Sequence, residues 1–104
     1  MYGRLIEVEG IDPSKREEVL GILRERIIPA LKEMDGFAGF ISLMDDDSRR
    51  GRTVVLWETK ENADDAERQF ASRREEIVRG AGGTVKSTDL YDAPIVEVQA
   101  GARA

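Results

Sequence analysis

The chain has 104 residues, with 16 Lys and Arg against 21 Asp and Glu. That length suits one domain with one core, and the net charge of −5 argues against a nucleic-acid partner, because phosphate binding rests on an excess of Lys and Arg. Cysteine and histidine are both absent, which excludes disulfides, thiolate nucleophiles and Cys-ligated metal, and removes the commonest general base and metal ligand. No apolar run nears the ~20 residues that cross a bilayer. The N-terminus enters a strand pattern with no signal segment ahead of it. A cytoplasmic location with no membrane partner is expected.

Residues 2–9 alternate, with Tyr2, Arg4, Ile6 and Val8 on one face and Leu5, Glu7 and Glu9 on the other, as a first strand requires. Gly10 ends it. Asp12 is placed to cap a helix with Pro13 at its first position, where the missing N–H costs nothing. Leu20, Leu23, Ile27, Leu31 and Met34, flanked by Val19 and Ala30, recur at spacings of three and four and define an amphipathic helix. Pro29 lies inside it and is expected to kink it. Asp35-Gly36 stops it.

A second strand is expected over Phe37–Met44, with Phe37, Gly39, Ile41 and Leu43 on one face and Ala38, Phe40, Ser42 and Met44 on the other. The polar run Asp45-Asp46-Asp47-Ser48-Arg49-Arg50-Gly51 suits a hairpin tip. It lacks the spaced ligands and terminal glutamate of a calcium loop, and its arginines are offset by neighbouring aspartates. A third strand follows at 52–59 and carries Val54-Val55-Leu56-Trp57, the most β-prone run and the only tryptophan. Both of its faces are apolar. Asn62 is the expected cap of a second helix, whose thinner stripe is Ala63, Ala66, Phe70 and Ile77. Asp64 with Arg68 and Glu75 with Arg79 are expected to pair one turn apart. Gly80-Ala81-Gly82-Gly83 ends this helix; a phosphate-cradling loop needs the reverse order, strand before glycines. Residues 84–91 form a fourth strand, Pro94 interrupts, and Ile95-Val96-Glu97-Val98 reads as a short further strand. Residues 1–99 are expected to form a single domain, with 100–104 as a frayed tail.

The order strand, helix, strand, strand, helix, strand is that of a ferredoxin-like α+β sandwich, β-α-β-β-α-β, with an antiparallel sheet. Helices cover one face. The other would normally be polar on alternate residues, yet it must carry either Val54 with Leu56 or Val55 with Trp57. An apolar sheet face of this kind marks an interface. The expected solution is a homodimer with two sheets face to face, closing into an α/β barrel, with the segment after Pro94 on the partner's sheet edge.

Taken together, Met1-Tyr2-Gly3-Arg4, Ile28-Pro29-Ala30-Leu31, Asp35-Gly36-Phe37 and Leu56-Trp57-Glu58-Thr59 resemble the antibiotic biosynthesis monooxygenase family, and within it the small bacterial members. The resemblance spans residues 1–99. It implies a dimeric α/β barrel and, in some members, oxygenation of phenolic or quinol-like compounds with O2 and no metal, flavin or other cofactor. Other members degrade haem with an asparagine, a tryptophan and a haem-ligating histidine. Trp57 matches that tryptophan. Histidine is absent and the first strand has Arg4 and Glu7 in place of asparagine, so no haem is expected, and only half of the oxygenase motif remains.

Cofactor-free oxygenation needs a dry cleft for an ionisable aromatic ring, help with deprotonation and stabilisation of the anion. Trp57 is the candidate wall, with Phe37, Phe40 and Phe70. Arg4, Arg52 or Lys86 would hold a phenolate, and Glu7, Glu58 or Tyr91 a proton. The foremost candidates are Trp57, Arg4 and Glu7 for catalysis, and Phe37, Phe40, Phe70, Tyr91 and Arg52 for substrate contact. For each aromatic the plain alternative is a core or interface residue, and for each charge a solvated surface. The expectation is therefore a cofactor-independent monooxygenase for a small aromatic or quinone-like compound; the alternative is a non-catalytic binding or structural homodimer of the same fold.

Overall fold

A computed structural model describes residues 1–99; the tail expected at 100–104 lies outside the described residues. Four strands, β1 (Tyr2–Glu9), β2 (Phe37–Asp45), β3 (Arg50–Trp57) and β4 (Thr84–Asp92), form one antiparallel sheet in the order β2-β3-β1-β4. The helical segments α1 (Arg16–Ile22) and α2 (Ile28–Lys32), joined by a π turn at Leu23–Ile27, connect β1 to β2, and α3 (Lys60–Gly80) connects β3 to β4. The fold is thus the ferredoxin-like α+β sandwich. No helix among the described residues is long and apolar enough to cross a membrane.

Alternation assigns the faces. Ile6, Val55 and Trp57 point to the helices and pack with Leu31, Ala63 and Ala66 as the core. The other face carries Leu5, Val54, Leu56, Ile41, Leu43 and Tyr91, and Leu43 remains 57% exposed. Leu56 spreads over Gly3 and Gly39, which flank it on the neighbouring strands; a Cβ on Gly39 would meet it at 3.2 Å.

Several local features depart from the expectation. Phe37 was expected beside Gly39 and Ile41. A bulge between Phe37 and Gly39 adds one residue and flips the side-chain phase, so Phe37 joins Phe40 on the helix-covered face. There it meets Trp57 edge-on, with centroids 5.8 Å apart. The cap of α3 is Thr59, whose hydroxyl accepts from the Asn62 N–H at 3.1 Å and donates to Asn62 Oδ1 at 2.6 Å. Asn62 lies inside the first turn, where its side chain fills the space beside Gly36. The expected pairs along α3 are replaced by Lys60 with Asp64 and Asp65 with Arg68. Within one chain Ile95–Val98 forms no ladder among the described residues, and Ile95 is 83% exposed.

Asp12 accepts from the Ser14 N–H at 2.9 Å, as expected of a cap, but it opens a 3-10 turn, Pro13–Lys15, ahead of α1. The expected disturbance at Pro29 takes a definite form. Proline has no N–H and crowds the carbonyl four residues back. The helix responds by widening just before it, where Ile28 N–H donates to the Leu23 carbonyl, five residues back. A π turn of this kind is a known way to absorb such a disturbance.

Candidate functional site

Between the sheet and the helices lies a cavity of about 140 Å³. Ile6, Thr53, Val55, Phe40 and Ser42 form its floor, Val19, Leu23, Ile27 and Leu31 one wall, and Phe70, Arg74, Ile77 and Val78 of α3 the other. The volume is close to that of an engineered apolar cavity, ~150 Å³, that stays dry and takes up benzene. One aromatic ring fits. The π turn contributes Leu23 and Ile27 to the wall directly. At the hairpin end, Arg16 pairs with Asp46 at 3.1 Å and Arg50 with Asp45 at 3.7 Å. Hydrogen bonding by Ser48 holds the Asp45 carboxyl below the usual range.

The structure divides the residues singled out in the sequence into four groups. Phe40 and Phe70 both line the cavity. Arg73 lies over the Phe70 ring, 5.3 Å from its centroid. Trp57 and Phe37 pack in the core and are not among the lining residues; the indole is 1% exposed. Glu7 and Arg52 sit on the uncovered sheet face and pair with each other at 3.2 Å, with Tyr91 exposed on the same face.

Arg4 belongs to a separate network. It points under α3, is only 12% exposed, and faces Asp64 at 3.6 Å and Glu67 at 3.8 Å. Its Nε is buried without a hydrogen-bond partner among the described residues. Glu67 is instead held by Arg74, whose Nη2 and Nη1 donate to its two carboxylate oxygens at 2.6 and 2.9 Å. That hydrogen bonding holds the Glu67 carboxyl below the usual carboxylate range; burial opposes it, and the charges of Arg74 and Arg4 reinforce it. Sequence reasoning passed over both Glu67 and Arg74. The available signal was their position: 67, 70, 74 and 77 follow one another at helical spacing, so an acid and a base interrupt the apolar stripe that holds Phe70 and Ile77.

The architecture is that of antibiotic biosynthesis monooxygenase-type ferredoxin-like proteins. Among solved structures, the chain is similar to a monooxygenase from the gene ActVA-Orf6 of Streptomyces coelicolor in complex with nanaomycin D, with a TM-score of 0.67 and 13% identity over 94% of this chain and 90% of that one. It is also similar to SnoaB, a cofactor-independent oxygenase from Streptomyces nogalater, at a TM-score of 0.65 and 15% identity over 91% and 95% of the two chains. A dimeric ferredoxin-like protein from an uncultured marine organism gives 0.68 at 10% identity, over 95% and 100%. No protein-family model and no curated protein matches the sequence.

Proposed function

We propose that this protein is a homodimer that binds a small aromatic or quinone-like compound in the cavity beneath its helices and acts on it as a cofactor-independent monooxygenase using O2. The cavity carries the binding half of this reading: its volume suits one ring, and Phe40 and Phe70 offer aromatic contact. The likeness of fold to SnoaB and to the ActVA-Orf6 protein supports the chemical half. In this reading Arg74 is the charged group of the cavity wall best placed to stabilise an anion. Trp57 acts behind Val55, holding the strand that forms the floor, while Arg4 supports the wall through Glu67. A non-catalytic binder of the same fold is the second reading, favoured by the closure of Trp57 within the core.

The dimer is supported by Ile41, Leu43 and Tyr91, exposed on the uncovered sheet face; apolar patches of this kind are characteristic of interfaces. The segment Ile95–Val98 is free to pair with a partner's edge strand. Light scattering at micromolar concentration is expected to give twice the chain mass of 11.6 kDa, and a monomer would overturn the barrel arrangement.

The functional test is titration with phenol, hydroquinone and benzoquinone, followed by protein NMR, with oxygen uptake measured for the tightest binder. Shifts confined to residues around Phe40 and Phe70, with O2 consumed only when ligand is present, are the expected result. Saturable binding without oxygen uptake leaves the non-catalytic binder. Absence of binding by all three would overturn the cavity as a site for phenol- or quinone-like rings.

A further inference from the structure

We propose that the cavity selects an aromatic ligand bearing a carboxylate, and that Glu67 is a resident counter-ion which the ligand displaces from Arg74 and hands over to Arg4. This rests on the binding reading above and goes beyond it in naming the ligand's charge and the residues that choose it.

Five arginines line the cavity, and Arg74 differs from the others by burial. Its side chain is 16% exposed, against 41% for Arg16 and 55% for Arg50, and Arg49 and Arg73 are also exposed. Interactions of a guanidinium with an anion strengthen as water is excluded, and its planar fork matches a carboxylate with two parallel hydrogen bonds. Glu67 now occupies that fork, so an incoming carboxylate must displace it. A displaced charge left alone under a helix would be costly.

Arg4 resolves that cost. Its Nε is a buried donor without a hydrogen-bond partner among the described residues, and Glu67 Oε1 lies 3.8 Å away. A shift of about 1 Å brings this pair to hydrogen-bonding distance. An orphaned buried donor is rare in folded proteins and calls for an explanation. Here Glu67 stands between two arginines and hydrogen-bonds only one, while Asp64 faces the Nη2 of Arg4 at 3.6 Å and leaves the Nε unsatisfied. When a ligand takes Arg74, Glu67 moves to Arg4, and every member of the network has a partner. The ring then lies against Phe70 and Ile77, which occupy the same face of α3 as Arg74.

Calorimetric titration with benzoate and with benzamide, its neutral counterpart of the same shape, tests the proposal in the wild-type protein and three variants. In the wild type, benzoate is expected to bind at least tenfold more tightly than benzamide. Arg74→Met removes that preference while benzamide still binds. Glu67→Gln removes the competing charge and tightens benzoate at least threefold, with benzamide unchanged. Arg4→Gln weakens benzoate severalfold, because Glu67 then has nowhere to go. Should Arg4→Gln fail to fold, the contrast between Glu67→Gln and Arg74→Met decides the matter. A merely structural clamp predicts that Glu67→Gln weakens benzoate or leaves it unchanged, and either result overturns the proposal. Equal binding of benzoate and benzamide overturns the charge selection alone. Binding of neither overturns the cavity reading as well.

Discussion

Replacing Trp57 by alanine is expected to remove a large share of the protein's stability. The indole is the largest fully buried side chain, and its loss leaves a void bounded by Leu31, Ala63 and Ala66 that rigid elements cannot close. Truncation of a buried tryptophan costs about 3–5 kcal/mol, and the edge-on contact with Phe37 adds roughly 0.5–1.5 kcal/mol. Total stabilities of small domains are only about 5–15 kcal/mol. The melting temperature should therefore fall by roughly 15–50 °C, at ~4–8 °C per kcal/mol, or the protein should fail to fold. Trp57→Phe keeps a ring against Phe37 and should retain well over half of the lost stability. Thermal unfolding monitored by circular dichroism measures both. A fall of less than 5 °C for the alanine variant would mean that the core does not depend on this side chain. The pair also separates fold from chemistry: if Trp57→Phe stays folded and binds ligand while oxygen uptake vanishes, the indole has a part in the reaction beyond packing.

Gly36→Ala is expected to be strongly destabilising, although it adds only a methyl group. Gly36 has φ +79°, a conformation that costs an L-residue roughly 1–2 kcal/mol. The new Cβ would also lie 2.0 Å from Asn62 Oδ1. Asn62 must then leave its place in the first turn of α3, and the Thr59 hydroxyl loses the acceptor to which it now donates. Loss of capping contacts adds about 1 kcal/mol, for a total of roughly 2–3 kcal/mol. The double variant Gly36→Ala with Asn62→Ala should relieve the collisions with the amide of Asn62, while the approach of its Cβ at 2.9 Å and the backbone strain remain. A double-mutant cycle in urea reads the coupling between the two sites. A coupling of zero would show that the collision is absent in solution.

The sequence made the succession of elements legible because period-two and helical spacings are local. It also required apolar residues on both sheet faces, since neighbouring residues of β3 point in opposite directions. What escaped it depends on single-residue irregularities or on distant contacts. The bulge at Phe37–Gly39 inserts one residue and reverses a side-chain phase, and a pattern of alternating residues does not reveal where the phase breaks. Both Thr59 and Asn62 are good caps by chemistry; the packing of Asn62 against Gly36 from the loop before β2 decides between them. In the candidate site, Phe40 and Phe70 were legible as apolar residues on covered faces. Glu67 and Arg74 were not, because they sit seven residues apart, two turns along the helix, while pairing rules consider neighbours at three and four.

The π turn before Pro29 sets the alignment of the cavity wall. Val19, Leu23, Ile27 and Leu31 all line the cavity, each four residues after the last. On a regular helix, steps of four residues drift by about 40° per step, and after three steps the last side chain would have swung about a third of a revolution away from the first. A wider turn takes up that drift and lets the four stand as one straight rail alongside the ring. Deleting one residue within Leu23–Ile27 would restore a regular helix and rotate the wall residues ahead of the turn by about 100° relative to those after it, so the register of this wall hangs on a single backbone hydrogen bond, from the Ile28 N–H to the Leu23 carbonyl.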